Sequence, residues 1–153
     1  MQSFILYIHS ILRWILLILL IVSIVKSFTG WQGTKTLRGS DRKLFLFTLI
    51  SAHVNFLVGI YLLLFGTFGV ISGGLPAGVE LMKSKFFRFF WVEHPTGMLI
   101  AIVLITIGNA MGKKGPSDPV KFKKVFWYFL FALIVILATV PWPFREIVGR
   151  PLI

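Results

Sequence analysis

Apolar residues run almost unbroken from Phe4 to Val25, halt at Lys26, and resume after the polar stretch Gly39-Ser40-Asp41-Arg42-Lys43. A second apolar run covers about residues 44–65, a third 93–112 and a fourth 125–140, the last ending at Pro141-Trp142-Pro143. A hydrocarbon core about 30 Å thick needs about 20 residues of helix per crossing, and each run is close to that length. The pattern therefore predicts an all-α integral membrane four-helix bundle, up-down-up-down, with residues 1–153 as a single transmembrane domain. Ser40 and Asp41 are the expected N-caps of the second helix. The fourth run is the shortest. Lys123 and Lys124 at its head can snorkel, and an earlier helix start would complete the crossing.

Between the second and third runs lies a loop, 66–92, with two parts. A Gly-rich stretch from Gly66 to Gly78 precedes Met82-Lys83-Ser84-Lys85-Phe86-Phe87-Arg88-Phe89-Phe90-Trp91. Aromatic rings interleaved with cations suit the headgroup zone, which predicts a short interfacial amphipathic helix leading into the third span. Stacking on nucleic acid is the rival reading of such a run, and its place beside a membrane span excludes it as a partner.

Composition agrees with the pattern: 57% of residues are hydrophobic and 14% charged. With no cysteine, thiol chemistry and Cys-ligated clusters are excluded, so any cofactor must use other ligands. The net charge of +11 is spread over the connections between apolar runs, which favours anionic lipid headgroups over nucleic acid. Lys26, Lys35, Arg38, Arg42 and Lys43 lie in the first connection, and Lys113, Lys114, Lys121, Lys123 and Lys124 in the third. The middle loop has only Lys83, Lys85 and Arg88, and the tail only Arg145 and Arg150. The positive-inside bias predicts both basic connections in the cytoplasm and both termini on the periplasmic side. Met1-Gln2-Ser3-Phe4 lacks the basic region of a signal peptide, so the first run is expected to be a retained helix.

Ionisable groups inside hydrocarbon are costly and usually face the bundle, so the polar residues of the spans are the functional pointers. They are His9 and Arg13 in the first run, His53 and Asn55 in the second, and Glu93 with His94 at the head of the third. At about 1.5 Å per residue, His9 and His94 lie at similar depths on the periplasmic side of their spans, whereas His53 is near the midpoint.

Imidazole is an axial ligand of haem iron, and two histidines level on facing helices can hold a haem in a bundle. His9 and His94 fit that condition best, with His53 as the alternative. On the third helix Gly97, Ala101 and Gly108 share the sector of His94, a small-residue face against which a flat macrocycle can lie; the rival reading is close helix packing. Arg13, four residues after His9, reaches either a propionate or Glu93. On the second helix Thr48, Ser51, Ala52, Asn55, Gly59 and Gly66 share one face and His53 points away from it. If that face packs inward, His53 meets another subunit, a quinone headgroup or a second helix pair; if His53 faces the bundle, Asn55 needs another partner. No nucleophile elbow, Ser-x-x-Lys, HExxH or phosphate-cradling loop is present, and Glu93 and His94, adjacent on a helix, form no dyad by themselves.

The stretches His9-Ser10-Ile11-Leu12-Arg13-Trp14, Ser51-Ala52-His53, Val92-Glu93-His94-Pro95 and Pro141-Trp142-Pro143-Phe144-Arg145 together resemble small four-helix bacterial membrane proteins labelled cytochrome b-like. The resemblance covers most of the chain. It implies haem b, residence in the bacterial inner membrane, and electron transfer with quinone or a larger respiratory complex, as a carrier or subunit rather than a stand-alone enzyme. The four-histidine, two-haem pattern of the large respiratory cytochromes b is missing. Two other expectations stand beside it: a non-catalytic accessory subunit of a membrane complex or homo-oligomer, and a small proton-conducting module using Arg13, Glu93 and His53.

Overall fold

The computed structural model describes residues 2–152, and among them all regular structure is helical. Four long helices are present: α1 (Gln2–Gln32), α2 (Gly39–Phe65), α3 (Lys85–Met111) and α4 (Asp118–Thr139). Each is long and apolar enough to cross a membrane. They form a bundle in which each helix packs on its neighbours in the chain and α4 closes the ring against α1.

The helix ends follow local chemistry more closely than the apolar runs. The start of α2 is Gly39, with Arg38 as its N-cap. Asp41 is therefore not the cap; its carboxylate reaches back to accept the Arg38 N–H at 3.0 Å and lies 3.2 Å from the Lys26 ammonium. Helix α4 starts at Asp118 rather than Val125, after an extended Ser117 and with a proline in its first turn. Its 22 residues span about 33 Å, long enough for a full crossing. The Asp118 carboxylate accepts the Leu37 N–H and pairs with Lys121, both at 2.9 Å, which ties the two basic connections together.

The aromatic segment expected as a separate interfacial helix is continuous with the third span. Residues Lys85–Arg88 form one helical turn, Phe89–Glu93 a π turn, and the α-helix resumes at His94. Pro95 supplies the cause: proline lacks an N–H and its ring crowds the carbonyl four residues back, so the chain widens one turn ahead of it. The His94 N–H accordingly bonds to the Phe89 carbonyl.

The end of the bundle holding the two basic connections, called here the basic end, is closely packed. Phe45 meets Phe122 and Phe129 edge-on, with Leu20, Ile105 and Val125 fully buried around them. The Ser23 and Thr48 hydroxyls, both fully buried, bond to each other at 2.9 Å across α1 and α2. At the opposite, tail end, residues 140–152 fold back over the helices. The Arg150 N–H bonds to the Pro141 carbonyl, and the Arg145 guanidinium caps the carbonyls of Ala138 and Val140.

Candidate functional site

At the tail end the helices do not close on one another. Where they face inward there, α1 presents Ser10, α2 presents Ala52, Asn55 and Gly59, and α3 presents Ala101, all too small to fill the centre. A cavity of about 740 Å³ remains, bounded also by Pro141, Arg150 and Pro151 of the returning tail. That volume is within the ordinary range for small-molecule and cofactor pockets, roughly 300 to 1,000 Å³.

His9 and His94 enter this cavity from α1 and α3, with ring centroids 6.5 Å apart and planes at 83°. His94 is held from behind. Its Nδ1 is 2.8 Å from the carbonyl oxygen of Thr139, which only accepts, so Nδ1 carries the hydrogen and Nε2 is a bare lone pair. That carbonyl is available because Pro143, four residues on, has no N–H to offer it. Gly97 completes the arrangement: a Cβ at this position would overlap the Thr139 side chain, so glycine alone lets α3 and α4 approach closely enough. Phe89 stacks on the His94 ring at 5.9 Å and 28°.

His9 is seated against α2 through a second close approach. A Cβ on Gly59 would stand 3.2 Å from His9 Cε1, tighter than ordinary contact. The imidazole approaches the Asn55 backbone carbonyl, yet its Nδ1 completes no hydrogen bond. Arg13 Nε and Asn55 Oδ1, on residues of the same cavity wall, are likewise buried without partners. Native interiors rarely leave such atoms unsatisfied, and three of them lie around this one cavity.

Arg13 is buried, 9% exposed, and donates from Nη2 to the Leu152 carbonyl, which also accepts from Trp14 Nε1 at 2.9 Å. It does not pair with Glu93, whose carboxylate is taken by Arg88 at 2.7 Å on the bundle surface. The ion pair considered for Arg13 is thus replaced by a contact to the tail, a partner no helical spacing could indicate.

The other sequence candidates separate. Ala101 lines the cavity with the two histidines, whereas Gly97 and Gly108 serve packing of α3 on α4, Gly108 against Tyr128 and Phe129. His53 stands apart. The face bearing Thr48, Ala52 and Asn55 is buried, which turns His53 to the outer surface, where its Nδ1–H donates to the Leu49 carbonyl at 2.9 Å. Thr139 and Arg150 were not visible as site residues in the sequence; for Thr139 the signal was Pro143. Among the described residues no group of three or more His, Cys, Asp or Glu side chains is placed to hold a metal ion.

No family model, curated protein or solved structure matches the chain.

Proposed function

We propose that this protein is a haem b-binding electron-transfer protein of the bacterial inner membrane, crossing it up-down-up-down with both termini on the periplasmic side, and that His9 and His94 are the axial ligands. The observation that carries the reading is the pair of imidazoles facing one cavity with centroids 6.5 Å apart. A first-row metal ion bound head-on by two imidazoles, at about 2.0 to 2.1 Å per bond, holds the ring centres a little over 6 Å apart. Two protein ligands are too few for a structural metal site, which usually has four. They are the right complement for a metal that arrives with its own ring nitrogens, as in haem. Haem would supply one-electron chemistry to the site, with partners such as quinone or a larger respiratory complex. The chain's own part is to hold the ligands. Thr139 fixes the tautomer and direction of His94, Gly59 admits His9, and the small side chains Ser10, Ala52 and Ala101 leave the space.

A second reading, an accessory subunit within a larger membrane complex or homo-oligomer, is favoured by His53, an ionisable side chain on the outer surface of α2. The two readings are separated by absorption spectra of detergent-purified protein made with ample haem supply. Oxidised and dithionite-reduced samples should give a low-spin b-type spectrum, lost in His9→Ala and in His94→Ala and kept in His53→Ala. A haem-free preparation contradicts the proposal.

A further inference from the structure

The basic end carries charge that the bundle does not use. Its two carboxylates, Asp41 and Asp118, are already taken by Lys26 and Lys121 and by the N–H groups of Arg38 and Leu37. No other basic residue of that end has a carboxylate partner among the described residues, where the remaining ion pairs, of Lys83 and Arg88, lie in residues 80–93.

One seam at this end joins unmatched charge to exposed rings. Helices α1 and α4 meet closely there: a Cβ on Gly30 would overlap the Phe122 ring. On the outer side of that contact the ring centroids of Trp31 and Phe126 are 5.8 Å apart and those of Phe28 and Phe126 5.5 Å, with Phe28 exposed. The Lys123 ammonium stands 5.2 Å from the centre of the Trp31 ring. The seam is graded along the bundle axis. Trp31 and Lys123 form an outer tier near the helix ends, and Phe28 and Phe126, each three residues further into its helix, form an inner tier about 4.5 Å deeper.

Trp31 also has an unused donor. The indole N–H groups of Trp14, Trp91 and Trp142 are bonded to the carbonyls of Leu152, Phe68 and Leu137. Trp31 and Trp127 have no acceptor among the described residues, and of these two only Trp31 lies beneath a cation.

We propose that this seam seats one anionic phospholipid of the leaflet at the basic end, with its phosphate between the Lys123 ammonium and the Trp31 Nε1–H and its acyl chains over Phe28 and Phe126. This rests on the membrane-crossing part of the reading above and not on haem. An indole at headgroup level turns its apolar body to the chains and its N–H to the polar zone, and a lysine carries its charge outward along an apolar stem. The unmatched cations set the sign of the ligand: they favour a lipid with net negative charge over a zwitterionic one. A second copy of this chain would bring the same excess of cations to the seam.

The test is native mass spectrometry of the detergent-purified full chain titrated with dioleoyl phosphatidylglycerol or dioleoyl phosphatidylcholine, which share acyl chains and phosphate and differ in net charge. The unsubstituted protein should bind its first phosphatidylglycerol about fivefold or more tightly than its first phosphatidylcholine, the effect of about one well-placed cation. Lys123→Gln should remove most of that preference, and Trp31→Phe, which keeps a ring and loses the N–H, should weaken binding of both lipids. Lys43→Gln, on α2 outside the seam, makes the same change in net charge and should leave the preference intact. Because the first comparison uses unsubstituted protein, misfolding of a variant does not blunt it. Equal affinity for the two lipids overturns the proposal, and so do equal losses in Lys123→Gln and Lys43→Gln, which would reduce the effect to diffuse attraction. A dimer that forms without lipid and is lost in Lys123→Gln assigns the seam to a second copy and overturns it as well. A chain recovered in solution without detergent overturns the membrane reading and this proposal together, whereas a haem-free preparation contradicts only the haem reading.

Discussion

The two ends of the bundle are built from the same four helices and differ in what they place at the centre. At the basic end Phe45, Phe122 and Phe129 interlock around Leu20, Ile105 and Val125, and the buried hydroxyls of Ser23 and Thr48 satisfy each other. At the tail end the central positions are Ser10, Ala52, Asn55, Gly59 and Ala101, and polar atoms of His9, Arg13 and Asn55 lack partners. One end is closely packed; the other leaves a cavity with unpartnered polar atoms in its wall. Tight packing and open space are thereby divided along the bundle axis, which separates the expected effects of substitution.

Truncation at the basic end should have the largest effect on folding. Phe129→Ala removes a fully buried ring from the centre of the aromatic cluster and should cost about 3 to 5 kcal/mol, read as a lowered unfolding midpoint in detergent with or without ligand. A cost below about 1 kcal/mol would show that this end is not the anchor of the fold. Gly97→Val should come next, at about 1 to 3 kcal/mol from overpacking against Thr139. It carries a signature that a purely structural glycine would not give. By pushing α4 away it should also weaken the Thr139 hold on His94, which on the proposed haem reading changes the absorption spectrum of a preparation that remains folded. His53→Ala should have the smallest effect, within about 0.5 kcal/mol in the isolated protein, because the side chain is exposed and bonds only to its own helix. A large loss of stability in this variant would place His53 in a contact between copies.

The architecture was readable from the apolar runs because a membrane span leaves a long, uniform signal. The helix ends were less readable, since capping chemistry rather than hydropathy sets them: α4 begins at Asp118, inside a polar stretch, and Asp41 supports the start of α2 from its first turn. The π turn had one marker, Pro95, and the aromatic residues before it read as an interfacial element because their composition says nothing about continuity. At the site, depth alone paired His9 with His94, and face periodicity separated His53 from Asn55. Contacts supplied by the tail were not legible. Leu152 meets Arg13, and Arg150 reaches the cavity, through a fold-back governed by prolines and carbonyl capping, for which the sequence has no period to read.

The central claim, that His9 and His94 are the two axial ligands of one haem, is tested most directly by electron paramagnetic resonance of the oxidised, haem-loaded protein. His9 and His94 would hold the haem between imidazoles whose planes stand at 83° to each other. The account therefore predicts a low-spin ferric signal of the strongly anisotropic kind given by crossed imidazoles, abolished by His9→Ala and by His94→Ala. A high-spin signal, or a low-spin signal that survives either substitution, would contradict it.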